Sequence, residues 1–324
     1  MSSISPTTSD TAVIFGGTIA IDHVKTPEKE ASNLLGGSAS YAALAASFWS
    51  DKTSLLGVIG NNFPQEHLDL FTSKSINLAG IQKEDQASFA WSGEYHENMN
   101  DRTTHSVTLD ILDNWSVSVP EDLKPTPVLV LANMSPVNQL EMLAQSTAAK
   151  SYIIADTMDL WIQIDQENLL EVMQKIDLFI LNDSEAKMFA QTNNTIEAGE
   201  WLLGKGLNAI IIKHGEYGAT LFYKSHDEQR DYQILRIPAY PLSKVVDPTG
   251  AGDCFLGALA GTLASQSQLN PKLDDLFEGM VNATVLASFV CEDFSVERLK
   301  SINFQDIQAR RSEFLATIHP KFSV

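Results

Sequence analysis

Residues 245–255 of this chain are Val-Val-Asp-Pro-Thr-Gly-Ala-Gly-Asp-Cys-Phe. The stretch begins with an extended apolar pair, and Pro248 prevents a helix from continuing through it. Gly250 and Gly252 then flank Ala251, and residues 255–261 are apolar and rich in Gly and Ala. This order predicts the end of a strand, a tight turn and the start of a buried helix.

The glycine turn has the composition of an anion-binding site. At the start of a helix, the backbone N–H groups of Gly250, Ala251 and Gly252 would point to one place, and the helix dipole favours negative charge there. Small residues also let a phosphate oxygen approach the main chain. Asp253 lies in the first helical turn, where a carboxylate can accept a proton from an attacking hydroxyl. An anion hole beside a base predicts phosphoryl transfer, with these four residues as the catalytic group.

The rest of the chain alternates between apolar runs and helical patterns. Predicted strands lie at 12–15, 53–59, 127–132, 152–155, 177–181 and 209–213, with helical stretches such as 38–49, 64–73 and 137–149 between them. Residues 219–223 and 232–237 predict a hairpin, and residues 250–265 and 271–290 are mostly helical. The alternation favours an α/β protein with a mostly parallel sheet covered by helices.

Two segments do not fit this alternation. Residues 88–96 and 104–112 alternate in polarity and are rich in β-forming side chains. With residues 18–24 they predict a small separate sheet. We therefore expect a single domain over residues 11–318 with an inserted lid, preceded by a flexible, polar N-terminus at residues 1–10.

Three motifs together resemble those of the PfkB/ribokinase family of carbohydrate and nucleoside kinases. Asp-Pro-Thr-Gly-Ala-Gly-Asp at residues 247–253 is similar to the C-terminal signature of that family. Gly36-Gly37 before a small-residue helix resembles its N-terminal motif, and Asn182 with Glu185 resembles its Asn-x-x-Glu motif. The resemblance runs from Gly16 to about Phe294. It implies a ribokinase-like three-layer sandwich, with a mostly parallel central sheet and a small inserted β-lid.

The resemblance and the positions of polar residues after strands give expected roles. The acceptor pocket is expected to include Asp22, Gly36, Gly37, Arg102, Asn133 and Asp156. The nucleotide is expected to contact Asn182, Lys213, Gly215, Gly218, Thr249 and Asn282. Glu185 would hold Mg²⁺ through water, and Asp247 would give an oxygen to a monovalent-cation site. The expected cofactors are ATP and Mg²⁺. K⁺ stays open, because residues 287–294 lack the glycine-containing pattern usual in that site.

Some of these residues also have plain structural explanations. Asn182 and Glu185 have the spacing of a helix capping box. A solvent-exposed lysine and a solvent-exposed loop arginine would equally explain Lys213 and Arg102. Small residues after Gly37 would also suit close helix packing.

The composition of the chain indicates which classes of partner it disfavours and which compartment suits it. The formal charge is −19, which disfavours nucleic acid and anionic membranes. The chain has two cysteines, too few for a disulfide framework, which suits a reducing cytosol. There is no signal peptide pattern and no apolar run of about 18 residues. We expect a cytoplasmic enzyme with a small-molecule substrate, and the lid strands would allow a homodimer.

The predicted activity is transfer of the ATP γ-phosphate to a hydroxyl of a sugar or sugar-like alcohol. A nucleoside kinase of the same fold remains open, since Phe89, Trp91 and Tyr95 could stack a base as well as cover a sugar. A catalytically silent sensor is disfavoured by the presence of Asp253. Residues 199–206 match the start of a Walker A loop but lack its Ser/Thr and its strand-to-helix context. The dinucleotide-binding fingerprint is incomplete as well, because residues 16–20 after the first strand lack its third glycine.

Overall fold

The computed structural model describes residues 11–97, 99, 102–227, 230–266 and 269–318. The predicted flexible N-terminus lies outside these residues. In chain order the described residues form thirteen strands: β1 Val13–Gly16, β2 Ala20–Lys25, β3 Glu30–Gly36, β4 Thr53–Ile59, β5 Asn77–Lys83, β6 Ala90–Tyr95, β7 Arg102–Thr108, β8 Val128–Leu131, β9 Tyr152–Asp156, β10 Leu178–Asn182, β11 Ala209–Lys213, β12 Ala219–Asp227 and β13 Arg230–Ile237.

The same ranges contain twelve α-helices: α1 Ser38–Ala46, α2 Gln65–Ser73, α3 Asp110–Asp113, α4 Pro136–Gln145, α5 Asp159–Ile164, α6 Gln166–Met173, α7 Asp183–Ala190, α8 Thr195–Leu203, α9 Ala251–Ser265, α10 Leu273–Val290, α11 Glu297–Ser301 and α12 Phe304–Ile318. Within them, no helix combines the length and apolar character that crossing a membrane requires. The segment that resembled a Walker A loop runs from the middle of α8 towards β11, the wrong order for a phosphate loop.

Nine strands form the main sheet in the order β13-β12-β11-β10-β9-β8-β1-β4-β5. From β11 to β5 every neighbouring pair is parallel, whereas β12 and β13 form the predicted antiparallel hairpin. All six predicted parallel strands are confirmed, with small shifts at their ends. The edge strand β5 was not predicted, because its polar residues are interleaved with partly buried ones.

Side chains of the sheet alternate between two apolar layers. Val13 and Phe15 of β1 pack into one cluster with helices α1, α9 and α10. Ile14, between them, packs into a second cluster on the other face, with α4, α6 and α8. Because strand residues point alternately to opposite faces, helices cover both sides of the sheet. The three-layer arrangement is confirmed.

A second sheet has the strand order β3-β2-β6-β7 and is the predicted lid. Strand β3 was not predicted, since several of its residues are polar and exposed. The predicted third lid strand is displaced, because β7 ends at Thr108 and residues Asp110–Asp113 form α3. The cause is Ile111, which is buried in a core cluster of the main domain and draws the chain out of the lid.

The helices that follow the two glycine turns touch backbone to backbone. A Cβ atom at Gly257 of α9 would lie 2.0 Å from the carbonyl oxygen of Ala42 in α1. One turn later, a Cβ atom at Gly261 would lie 2.8 Å from Cα of Ala46. Glycine is therefore required in α9, and this contact holds the starts of both helices at a fixed separation.

Candidate active site

The phosphate turn, residues 248–252, has the backbone that the sequence predicts. Gly250 precedes α9 with φ of 77°, a left-handed conformation that favours glycine. A Cβ atom there would lie 2.3 Å from the ring of Tyr41, which is buried. Helix α9 therefore starts directly behind a turn that tolerates no side chain at Gly250.

Two of the three predicted amide donors are available. The N–H of Ala251 donates to the carbonyl of Pro248 (3.1 Å) and closes the turn, so a contact of this amide with an anion stays a prediction. Among the described residues, no group accepts a hydrogen bond from the N–H of Gly250 or Gly252. An anion at this turn could accept hydrogen bonds from these two amides, which stays a prediction.

Lys213 brings a positive charge to the same place. It is the last residue of β11, and a Cβ atom built on Gly252 would lie 3.0 Å from its Nζ atom. The ammonium group therefore lies against the phosphate turn and is not simply solvated. Two free amides and one ammonium group around a residue without a side chain fit a phosphate group.

Three carboxyl groups gather around the start of α9. Asp253 lies in its first turn, Asp22 comes from lid strand β2, and Asp156 ends β9. Burial, then the charges of Asp247 and Asp253, raise the pKa of Asp22 to about 8. Burial also raises the pKa of Asp156 well above its usual range, although the nearby charge of Lys213 opposes the shift. At neutral pH the carboxyl group of Asp22 therefore keeps its proton and can donate a hydrogen bond.

Asp156 also has an unused polar atom. Its Oδ1 is buried and has no hydrogen-bond partner among the described residues. A buried polar atom without a partner carries a free-energy cost. An acceptor hydroxyl bound at this edge of the sheet would remove that cost.

The second glycine turn, Gly36-Gly37, packs against the carboxyl group of Asp22. Gly36 ends β3, and a Cβ atom there would lie 2.2 Å from Cγ of Asp22. Gly37 has φ of 91°, and its Cβ atom would lie 2.4 Å from the carbonyl oxygen of Thr18. The turn therefore makes room for the carboxyl group, and the structure brings together three of the predicted acceptor residues.

Asn133 follows β8 and borders this region. Its Oδ1 accepts a hydrogen bond from the indole N–H of Trp161 (2.9 Å), and its Nδ2 contacts Sδ of Met158 (3.2 Å). Its carbonyl accepts from the hydroxyl of Ser38, at the start of α1 (3.1 Å). Sequence reasoning missed Trp161, whose only signal was its position five residues after Asp156.

Asn182 and Glu185 form the capping box of α7. Oδ1 of Asn182 accepts from the N–H of Glu185 (2.8 Å), and Oε2 of Glu185 accepts from the N–H of Asn182 (2.7 Å). The structural explanation is thus confirmed. Glu185 is also near the other acidic groups, since its charge adds to the raised pKa of Asp156. A carboxylate there also suits Mg²⁺ held through water.

The turn after Lys213 has the glycine conformations expected of a tight loop. Gly215 has φ of 56° and Gly218 has φ of 90°. A Cβ atom on Gly218 would lie 2.0 Å from the carbonyl oxygen of Ile237. The N–H of His214 donates to the carbonyl of Gly218 (2.7 Å) and closes the loop beside Lys213.

Two predicted residues stand apart from this group. Asn282 is 3% exposed; its Nδ2 donates to Thr262 (3.1 Å) and its Oδ1 accepts from Arg311 (3.0 Å). Its amide therefore joins α9, α10 and α12, and a contact with adenine stays a prediction. Arg102 is the first residue of β7, but its side chain lies outside the described part of the structure.

Asp247 and Thr249 lie just before Gly250. Asp247 is fully buried; its Oδ1 accepts from the N–H of Thr249 (2.9 Å) and its Oδ2 from the N–H of Ser295 (3.3 Å). Burial raises the pKa of Asp247, and these hydrogen bonds oppose the shift. Protein groups therefore already use both carboxyl oxygens, and K⁺ binding stays a prediction.

The lid aromatics have distinct surroundings. Tyr95 is 7% exposed, and its hydroxyl accepts a hydrogen bond from Thr249 (3.2 Å). The indole N–H of Trp91 donates to Thr104 (3.2 Å), and a Cβ atom on Gly93 would lie 2.2 Å from the Trp91 ring. Phe89 packs against a core cluster of the main domain. Tyr95 therefore faces the phosphate turn, and base stacking is not its evident role.

Sequence comparison gives a family and several relatives. Residues 11–292 match the family described as pfkB family carbohydrate kinase. A cytidine kinase of Thermococcus kodakarensis is 26% identical over 259 residues, which cover 79% of this chain and 88% of that protein. A nucleoside kinase of Methanocaldococcus jannaschii is 22% identical over 260 residues, which cover 74% of this chain and 79% of that protein.

Solved structures share the fold. A ribokinase of Giardia lamblia superposes with a TM-score of 0.77 at 17% identity, covering 94% of this chain and 100% of that one. A nucleoside kinase of Burkholderia thailandensis, solved with inosine, gives 0.71 at 20% identity, covering 93% and 97%. The ribokinase-like fold is thereby confirmed. Because the family match covers most of the chain, from the first strand to the end of α10, this protein belongs to the PfkB family of carbohydrate kinases.

Proposed function

We propose that this protein transfers the γ-phosphoryl group of ATP to a hydroxyl of a sugar or sugar-like alcohol, with residues 11–318 acting as one kinase domain. The observation that carries the proposal is the position of Lys213, whose ammonium group lies against Gly252, one residue from Asp253. A cation, free amides and a carboxylate thus meet at one helix start. The cation and the amides would stabilise the negative charge of the phosphate, and the carboxylate would accept the proton of the acceptor hydroxyl.

In the proposed reaction the carboxylate of Asp253 accepts the proton of the acceptor hydroxyl. The hydroxyl oxygen bonds to the γ-phosphorus, the bond from that phosphorus to the bridging oxygen breaks, and ADP leaves with that oxygen. The amides of Gly250 and Gly252 and the ammonium of Lys213 stabilise the charge on the transferring group. Mg²⁺, held through water by Glu185, would offset phosphate charge when bound.

The acceptor pocket is proposed to lie between the lid and the main sheet. Asp22 and Asp156 would bind acceptor hydroxyls. Asp22 keeps a proton at neutral pH and can both donate and accept, and Oδ1 of Asp156 is buried without a partner among the described residues. Gly36 leaves room for the carboxyl group of Asp22, which lies where a side chain at Gly36 would be. Asn133, fixed by Trp161, would give a further polar contact.

A nucleoside is the second candidate acceptor. It is supported by some of the relatives, which include a cytidine kinase and nucleoside kinases. A nucleoside presents the same ribose hydroxyls to Asp22 and Asp156, and its base would extend towards the lid. Both candidates use the same chemistry at Asp253.

The test is ATP-dependent phosphorylation of a panel of sugars, sugar acids, polyols and nucleosides, with Mg²⁺ and with or without K⁺. Asp253→Asn is compared with Asp274→Asn, which makes the same change in the exposed first turn of α10. We expect Asp253→Asn to lower kcat by about 10²–10⁴-fold while ATP still binds, and Asp274→Asn to leave kcat unchanged. Equal activity of both variants would reject Asp253 as the base. Turnover confined to nucleosides would decide for the second candidate.

A further inference from the structure

Two arginine side chains bind the C-terminal end of α10, next to the segment that leads into the phosphate turn. We infer that Arg310 is a positioning residue for this turn and that it serves, together with Arg298, as a built-in cation, so that the turn is ordered without a monovalent cation such as K⁺. The inference rests on the proposed kinase activity, because it concerns the cation requirement of the same site. It assigns a role to α12, which holds none of the expected site residues.

Arg310 of α12 has three partners at the end of α10. Its Nη1 donates to the hydroxyl of Ser288 (3.0 Å), and its Nη2 donates to Oε1 of Glu292 (2.5 Å). Its guanidinium group lies 3.4 Å from the ring centroid of Phe289, which is a cation–π contact. The Arg310 side chain is 14% exposed, so these contacts are largely shielded from solvent.

Arg298 of α11 binds two of the same partners. Its Nε donates to Oε2 of Glu292 (2.9 Å), and its guanidinium group lies 5.6 Å from the ring centroid of Phe289. Each carboxylate oxygen of Glu292 therefore accepts from one arginine. The last carbonyl groups of a helix carry partial negative charge, so two positive groups at the end of α10 are favourable. We call Arg298, Arg310, Phe289 and Glu292 the arginine clamp.

The arginine clamp is joined to the segment before the phosphate turn. The carbonyl of Cys291, the residue before Glu292, accepts a hydrogen bond from the N–H of Val246 (2.8 Å). Val246 directly precedes Asp247, the first residue of the signature that contains the turn. A shift of the clamp would therefore move the start of that signature.

A second contact follows at Ser295. Its N–H donates to Oδ2 of Asp247 (3.3 Å), and Oδ1 of Asp247 accepts from the N–H of Thr249 in the phosphate turn (2.9 Å). Ser295 has φ of 51°, a left-handed conformation that is unfavourable for a residue with a Cβ atom. Its contacts must therefore hold it, and the arginine clamp fixes the chain three residues before it, at Glu292.

The oxygen atoms expected to bind a monovalent cation are already engaged. Such an ion is bound by several oxygen atoms at once, commonly carbonyls. Both carboxyl oxygens of Asp247 accept hydrogen bonds. Along residues 287–294, backbone N–H groups donate to the carbonyls of Ala287, Phe289, Val290, Cys291 and Phe294. The residues present therefore fit the ion poorly, and the arginine clamp supplies positive charge at the same helix end.

The first test measures the response of the wild type to monovalent cations. ATP binding is titrated by calorimetry in the chloride salts of K⁺, Na⁺ and tetramethylammonium at equal ionic strength. We expect the Kd for ATP to stay within about twofold across the three salts, and K⁺ to raise the Tm no more than tetramethylammonium does. A Kd about fivefold lower in K⁺, or a Tm raised by K⁺ alone, would overturn the inference.

Hydrogen exchange compares Arg310→Gln with Arg311→Gln. Arg311, the next residue of α12, is 17% exposed and binds Glu278 and Asn282, which lie further from the end of α10. We expect Arg310→Gln to speed the exchange of the amides of residues 246–249 about tenfold, equivalent to about 1.4 kcal/mol. Arg311→Gln should leave the exchange of these amides as in the wild type.

This pair of variants separates positioning from general stabilisation. Both lose an ion pair with a glutamate, so general destabilisation would speed exchange at residues 246–249 in both. An equal increase in both variants, or no increase in Arg310→Gln, would overturn the inference. If Arg310→Gln does not fold, Arg298→Gln decides in the same way, because it removes the more exposed arginine of the clamp, with an expected increase of about threefold.

Neither hydrogen exchange nor the Tm requires an acceptor. A wild type that phosphorylates no member of the acceptor panel would therefore reject the proposed function, while these two measurements would still decide the role of Arg310.

Discussion

At the scale of single residues, the two glycines of the phosphate turn serve different purposes. Gly250 is needed for its backbone conformation and for the space beside Tyr41. Gly252 has no such constraint, because the nearest atom to its absent side chain is Nζ of Lys213, the end of a flexible chain. We therefore expect substitution of Gly250 to affect folding and substitution of Gly252 to affect ligand binding.

Gly250→Ala should lower stability. A left-handed conformation costs a residue with a Cβ atom about 1–2 kcal/mol, and the clash with the buried Tyr41 ring adds to it. We expect the Tm to fall by several degrees, since each kcal/mol is worth about 2–4 °C in a chain of this size. Thermal unfolding followed by circular dichroism measures the change. A Tm equal to that of the wild type would mean that the turn can relax.

Gly252→Ala should lower ATP affinity with little change in Tm. The added methyl group occupies the place between the turn and the Lys213 ammonium, and losing one charge-assisted hydrogen bond costs about 1.5–3 kcal/mol. We expect the Kd for ATP to rise about tenfold or more in calorimetric titration. Unaltered affinity would place the phosphates elsewhere.

The sequence predicted the residues that belong to short motifs and missed those that depend on distant contacts. The glycine turn and Asp253 lie within seven consecutive residues, so spacing alone indicated their chemistry. Ala251 was expected to donate to an anion, but Pro248 takes its N–H. Asn282 is bound by Arg311 on another helix. No local pattern could have indicated that contact.

At the scale of secondary structure, the capping box of α7 combines a structural and a proposed catalytic role. Glu185→Gln keeps an oxygen for the N–H of Asn182 but removes the charge. We expect its Tm to stay near that of the wild type while the Mg²⁺ concentration needed for half-maximal activity rises several-fold.

Asn182→Ala is the matched variant for the same helix. It removes the cap that binds the N–H of Glu185 and should destabilise the protein by about 1 kcal/mol. If Glu185→Gln instead destabilised the fold as much as Asn182→Ala, with an unchanged Mg²⁺ requirement, Glu185 would be a capping residue alone.

The sequence predicted strands correctly where they are continuously apolar and buried. The central strands such as β4 and β11 are buried along their length and were found with the correct ends. Strands β3 and β5 lie at sheet edges, where polar and apolar residues mix. Their β structure comes from pairing with a neighbour, which a local pattern does not contain.

At the scale of the whole molecule, the raised pKa of Asp22 makes stability depend on pH. Between about pH 4 and 8 the folded chain keeps the Asp22 proton while the unfolded chain releases it. The folded state then binds more protons, so the contribution of Asp22 to the free energy of unfolding falls as pH rises through this range and levels off above it.

Asp22→Asn should remove this dependence, because the amide does not titrate. We expect the free energy of unfolding of Asp22→Asn, relative to the wild type, to increase from pH 5 to pH 8 in urea titrations. Asp274→Asn, an exposed change, should show a constant difference. A constant difference for Asp22→Asn as well would mean that Asp22 is ionised in the folded protein.

Alternation of strands and helices predicted the layers but not the order of the strands. The sheet inserts β1 between β8 and β4, and it sets β8, β9, β10 and β11 side by side. That order brings Asn133, Asp156, Asn182 and Lys213 to neighbouring positions along one edge. Sequence alone placed each of them at the end of a strand or directly after it, and only the topology makes them neighbours.

The backbone contact between α1 and α9 has a consequence for how this protein can diversify. Gly257 and Gly261 leave no slack between the two helices, so substitutions there cannot adjust the distance between the two glycine turns. With the acceptor pocket placed as proposed, we expect new acceptor preferences to arise from the lid strands and from the loops after β8 and β9. Selection for a new substrate, in the laboratory or in nature, would accumulate changes in those segments and leave the helix pair untouched.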